Sequence, residues 1–166
     1  MWTATYILSI ALVNWLFVVV PPLPTPFGNL YLATLVVGAV FVLRDYAQRE
    51  VGHKVWIATL AGGGITWIMT IFYEMGPALA IASVTAFIIS ESADWAVFSF
   101  TGWPLQRRIL RSSLVSVPLD TLAFLSLSGL LTPASFTTEV LSKAAGVCIV
   151  WVMLKARIES GNASHA

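Results

Sequence analysis

The chain has 166 residues, of which 58% are hydrophobic and only 10% charged, with a formal net charge of +1. A soluble domain carries roughly 45–50% apolar residues, so this composition and a mean hydropathy of +0.85 mark an integral membrane protein. No basic run with interleaved aromatics occurs, which excludes nucleic acid as an expected partner, and the single Cys148 excludes an intrachain disulfide.

In chain order, apolar runs cover residues 3–20, 28–43, 55–73, 77–100, 113–131 and 137–154. Most approach the ~20 residues that cross ~30 Å of hydrocarbon as helix. Breakers separate them: the proline-rich stretch from Pro21 to Pro26, the polar run from Arg44 to Lys54, Gly76-Pro77, Gly102-Trp103-Pro104 and Thr132-Pro133. No Lys or Arg precedes the first run and no small-residue cleavage site follows it, so a membrane span is expected there and not a cleaved signal.

Basic residues set the expected orientation. Arg44, Arg49 and Lys54 fall between runs two and three, Arg107, Arg108 and Arg111 between four and five, and Lys155 and Arg157 after run six. The positive-inside rule then puts both termini in the cytoplasm. The expected fold class is all-α: a polytopic membrane protein, a six-transmembrane-helix bundle over residues 1–158, with a short polar tail over 159–166.

Ionisable residues inside such runs are costly, roughly 2.5–3.5 kcal/mol on insertion scales, and usually face a bundle interior. Two stretches carry them in the same pattern, Ser-x-x-x-Asp-x-x-x-Phe: Ser90, Asp94 and Phe98, then Ser116, Asp120 and Phe124. The spacing puts serine, carboxylate and ring on successive turns of one ridge. The fourth run descends from outside and the fifth ascends, so helix rise sets Asp94 and Asp120 at similar depth on adjacent antiparallel helices, where they could line one cavity. Glu91 shares a face with Asp94 and Ser90, and two carboxylates this close repel unless one is protonated or a cation joins them.

Asn14, in the first run, can hydrogen-bond either a ligand or another helix. Trp15, Trp67 and Trp95 are candidates for stacking on a planar ligand, whereas Trp2, Trp56, Trp103 and Trp151 sit where interfacial anchors do. The ridge Ala78, Ala82, Ala86, Ser90 reads as helix packing, and Gly62-Gly63-Gly64 as close packing or a helix break. Asp45 with Arg49, and Glu50 with Lys54, read as self-neutralising pairs at a solvated helix end, and Glu139 with Lys143 as a local pair. Cys148 reads as a small buried hydrophobe. No nucleotide-binding glycine loop, catalytic serine–histidine or cysteine–histidine set, or metal-ligand cluster can be assembled, so neither enzyme activity nor a metal or cofactor is expected. A palette of Glu, Asp, Ser and Asn suits binding and passage better than catalysis.

Three segments taken together resemble the vitamin-uptake-transporter-like family that includes the queuosine-precursor transporters. They run from Phe41 through Arg44-Asp45-Tyr46 to Gly52, from Ile89 through Glu91 and Asp94 to Phe98, and from Ser112 through Ser116 and Pro118 to Thr121. Family members carry Gln at the position of Glu91. The resemblance implies import of a deazaguanine such as preQ0 or preQ1 for tRNA modification, across a bacterial cytoplasmic membrane. Glu91, Asp94 and Asp120 are then the expected substrate-binding carboxylates, with Ser90, Ser116, Asn14, Trp95 and Trp67 around them. A carboxylate accepts the adjacent N–H donors of a guanine-like edge. The alternatives are a substrate-binding subunit of a vitamin importer driven by a separate ATPase, and a membrane-embedded enzyme or assembly protein. A homo-oligomer is among the expected assemblies.

Overall fold

The structure, a computed structural model, describes residues 1–25 and 28–163, and the side chains of 157–163 are not among what it describes. Six α-helices run α1 (Trp2–Val19), α2 (Leu32–Val51), α3 (Val55–Phe72), α4 (Pro77–Phe100), α5 (Leu105–Leu127) and α6 (Pro133–Ala163). Among the described residues five helical segments are long and apolar enough to cross a membrane, with α2 and α3 together forming one 41-residue segment. Polarity is arranged inside out: Leu114 and Ile68 on the exterior are 73% and 65% exposed, while Arg44 is fully buried. The chain is an all-α, multi-pass membrane protein.

Four details differ from the sequence reading. The proline-rich breaker is part of a small antiparallel hairpin, β1 (Leu23–Thr25) and β2 (Gly28–Leu30), with Leu23 opposite Leu30. The polar run after Arg44 is not a loop: α2 continues to Val51, and a single 3-10 turn over Gly52–Lys54 hands the chain to α3. Gly52, with φ +61°, ends α2 because that left-handed backbone suits glycine. Cys148 is exposed, since α6 turns Ser142, Lys143 and Val147 inward instead. No proline follows Ile158, and the stretch expected as a tail is helical to Ala163. Pro26, the side chain of Arg157, and His165 lie outside the described residues. Helix α3 runs unbroken through residues 62–64, and α5 through Pro118.

Side-chain contacts order the two ends of the bundle. At one end the Met1 ammonium pairs with Glu50, Trp95 bonds His53, and the Trp151 ring N–H donates to the Gln106 carbonyl. At the other, Phe17 packs on Tyr31 beside the hairpin. Helices α2 and α6 cross most closely at Gly38 and Gly146. A Cβ on Gly38 would fall on the Lys143 carbonyl oxygen, and one on Gly146 on that of Leu35. One turn away Thr34 and Ser142 share a hydrogen bond, giving the small-x-x-x-small approach that brings membrane helices together. Gly38→Ala or Gly146→Ala is expected to destabilise by at least the ~1–3 kcal/mol typical of overpacking, because backbone and not a side chain must yield. Gly64→Ala, which meets nothing within 4 Å, is the control. Equal thermal unfolding of all three variants in detergent would refute the contact.

Candidate functional site

A fully buried charge, the Arg44 guanidinium, is brought inside by the unbroken turn of α2 beyond residue 43. Its Nε donates to Glu91 Oε2 at 3.0 Å, and its Nη1 lies 3.1 Å from Asp45 Oδ1 and 3.4 Å from Asp94 Oδ2. Arg44 also donates to Gln48 Oε1, whose amide in turn donates to Ser99 at 2.8 Å. Serines from α5 complete the cluster: Ser112 donates to Asp45 Oδ2 at 2.8 Å and Ser116 to Asp94 Oδ1 at 3.4 Å. Thr59 of α3 reaches Glu91, and Tyr6 of α1 reaches Thr59. Five helices thus meet on one planar cation. An arginine suits this place because its fork can serve several carboxylates in fixed directions, which an ammonium cannot.

One turn toward the hairpin lies a second ion cluster. Lys143 of α6 donates to Asp120 Oδ2 at 2.9 Å and to Thr121 at 3.1 Å, and stands 3.4 Å from Glu139 Oε2. Ser90 donates to Asp120 Oδ1 at 3.1 Å. The twin motifs are therefore interlocked: Ser90 of α4 serves the aspartate of α5, and Ser116 of α5 serves the aspartate of α4. Antiparallel helices at matched level produce this reciprocity.

The second cluster opens on a cavity of about 150 Å³ in the hairpin half of the bundle. That volume is several times the ~30 Å³ a water takes up in the liquid, enough for more than one small group. All six helices contribute to its wall. Polar lining comes from Asn14, Thr66, Thr70, Ser83, Asp120, Glu139 and Lys143, and aromatic lining from Phe17, Phe87 and Phe124. Asn14 Nδ2 donates to the Ile10 carbonyl at 2.9 Å and to Thr66 at 3.1 Å, so one amide ties α1 to α3 at the cavity edge. At the opposite end a polar cleft of about 540 Å³ is lined by Gln48, Arg49, His53, Ser99 and Arg108.

The shared cavity expected for Glu91, Asp94 and Asp120 is thus two places. Asp120 and Asn14 line the cavity, and Ser90 holds Asp120 from behind. Glu91 and Asp94 are 1% and 0% exposed and point at Arg44 instead, because a buried cation within reach outweighs an apolar chamber for a carboxylate. Ser116 follows Asp94. Trp95 stands outside the cavity, its ring N–H 3.2 Å from His53 Nδ1 and its face near Trp56 and Phe100. Trp67 is 43% exposed on the bundle exterior. The rings that do reach the cavity are phenylalanines, and of these Phe124 alone carried a signal, as the last position of its motif.

Three residues of the site differ from the sequence reading, the first being Arg44, expected in the polar stretch between runs two and three but fully buried. Asp45 does not pair with Arg49; it is fully buried beside Arg44. Lys143 keeps its expected pair with Glu139 and adds Asp120, a partner on another helix that spacing cannot disclose. Among the described residues no group of three His, Cys, Asp or Glu side chains is arranged to hold a metal ion. Comparison of the chain with family models, with curated proteins and with solved structures returned no match.

Proposed function

We propose that the chain is a membrane transporter that imports a purine-like base, a deazaguanine of the preQ0 or preQ1 kind, through the central cavity. One observation carries the reading: two buried polar clusters, one helical turn apart on α4 and α5, stack as a column of polar side chains between the cavity and the polar cleft. From the cavity the column passes Lys143, Asp120 and Ser90, then Asp94, Ser116 and Arg44, and reaches the cleft at Gln48 and Ser99. A purely structural bundle has no need of polar groups from end to end, since each costs desolvation in hydrocarbon. Asp120 supplies the acceptor for ring N–H donors, and Phe17, Phe87 and Phe124 supply flat apolar walls. The Arg44 cluster closes the column below the cavity, so passage requires it to part.

In this reading all six helices cross the membrane, α2 and α3 as separate spans joined at the Gly52–Lys54 turn, in a bacterial cytoplasmic membrane. Arg49, Lys54, Arg107, Arg108 and Arg111 gather at the Met1 end, which puts that end and both termini on the cytoplasmic side. The cavity then faces outward and the cleft inward. Cells that lack their own uptake route and express this chain are expected to accumulate a labelled deazaguanine, with a C-terminal reporter reading as cytoplasmic. Uptake only when an ATPase pair is co-expressed would turn the reading toward a subunit of an ATP-driven importer. No uptake in either setting, with the protein folded in the membrane, would remove it.

A further inference from the structure

We propose that the cavity selects a ligand bearing one positive charge, a planar ring with a primary ammonium, over its neutral counterpart. The proposal rests on the reading of this cavity as the ligand site and narrows the chemistry it accepts. Among the described residues three ionisable side chains line the cavity, Asp120, Glu139 and Lys143, so together they give its wall a formal charge of −1. The one cation is already engaged: the Lys143 ammonium has Asp120, Thr121 and Glu139 around it, which matches its three N–H donors. It has no donor to spare for an anionic or acceptor-rich ligand. The excess charge is on the carboxylates. Among the described residues Glu139 has Lys143 as its one charged partner in contact, and Lys143 is shared with Asp120.

The surroundings make that excess matter. Phe17, Phe87, Phe124, Val13 and Leu79 are among the apolar residues of the wall, which lower the local dielectric and strengthen any charge–charge attraction relative to water. Aromatic rings also favour a cation near their faces over a neutral group of the same shape. The neighbouring Arg44 does not supply the missing positive charge, because it faces three carboxylates of its own. A bound ammonium would bring the cavity to neutrality. A neutral ligand would leave one carboxylate without a counter-charge.

The test uses two matched pairs on purified full-length protein at neutral pH. The first pair is preQ1, whose aminomethyl group is protonated, and preQ0, whose nitrile is neutral. The second is benzylammonium and benzyl alcohol, which differ in charge but are unrelated to purines. Equilibrium binding is expected to favour each ammonium at least about tenfold, a difference of ~1.4 kcal/mol. Glu139→Gln, a near-isosteric change, is expected to bring each pair within about twofold by weakening the ammonium and leaving the neutral partner unchanged, that is under ~0.5 kcal/mol apart. Equal affinities within both pairs in the unaltered protein, or a preference that survives Glu139→Gln, would overturn the proposal while leaving base transport standing. Preference for benzylammonium with no binding of either deazaguanine would do the reverse, keeping charge selection and removing the purine-like base.

Discussion

Arg44→Leu is expected to destabilise the bundle by ~3–5 kcal/mol, the cost of removing one partner from a buried ion cluster. Three carboxylates, Asp45, Glu91 and Asp94, lie within 3.4 Å of that guanidinium and are at most 1% exposed. Without it they face one another in a dry interior, and the mutual repulsion adds to the lost hydrogen bonds. Arg44→Lys is expected to recover only part, since a single ammonium on a shorter reach cannot serve Glu91, Asp45 and Gln48 at once. Arg44→Leu combined with Glu91→Gln and Asp94→Asn is expected to be more stable than Arg44→Leu alone, because neutral amides do not require the cation. Thermal unfolding in detergent measures all three. If Arg44→Leu melts with the unaltered protein, the cluster contributes nothing to the fold and its place at the centre of five helices has another cause. If the triple variant is no better than the single one, packing around the guanidinium, and not charge, explains the loss.

How far such a site can be read from sequence depends on what kind of signal each residue sends. The helical runs were legible because lipid demands apolar exteriors over ~20 residues, a pattern that needs no tertiary information. The twin motifs were legible for a similar reason. Identical spacing on consecutive antiparallel helices predicts neighbouring heights, but the bonds Ser90–Asp120 and Ser116–Asp94 set each aspartate opposite the other motif's serine, one turn from its counterpart. Arg44 was not legible. It stands at the head of a charge-rich stretch, and local i,i+4 pairing offered Asp45 and Glu50 partners in Arg49 and Lys54 that the folded chain does not use. Burial took Asp45 inward to Arg44 and Ser112, and the exposed Glu50 found the Met1 ammonium and Thr3 instead. The aromatic wall misled in another way. Tryptophan is the larger stacking surface, but Trp67 lies on an outward face of α3 and Trp95 packs away from the cavity beside His53 and Trp56, while Phe17, Phe87 and Phe124 line it. Which face of a membrane helix points inward is decided by its polar residues, and α3 has few: Thr59, Thr66 and Thr70 mark its inner side, and Trp67 is not on it.

Asp120 separates transport from stability most cleanly, because it is the one aspartate of the twin motifs that lines the cavity. Asp120→Asn keeps the shape of the side chain and an acceptor for Ser90 while removing the charge and one of two acceptor oxygens. Lys143 would keep Glu139 and Thr121, so no buried cation is stranded, and the loss of stability is expected to stay within the ~1.5–3 kcal/mol of a charged hydrogen bond. Uptake is expected to fall much further, by at least about tenfold, since the variant loses both the acceptor pair for ring donors and the net negative charge of the cavity. Asp94→Asn makes the informative comparison. It removes the same charge from the same motif one helix away, but from the Arg44 cluster and not from the cavity wall. Its effect is expected chiefly on unfolding temperature, with ligand affinity of the folded fraction close to that of the unaltered protein. Measuring affinity and melting on both variants crosses the two readouts. If Asp120→Asn binds and transports normally while melting early, Asp120 is only a tie between α5 and α6. If Asp94→Asn weakens binding as much as Asp120→Asn does, the two aspartates act on one ligand after all, and the separation of cavity from ion cluster does not persist through the transport cycle.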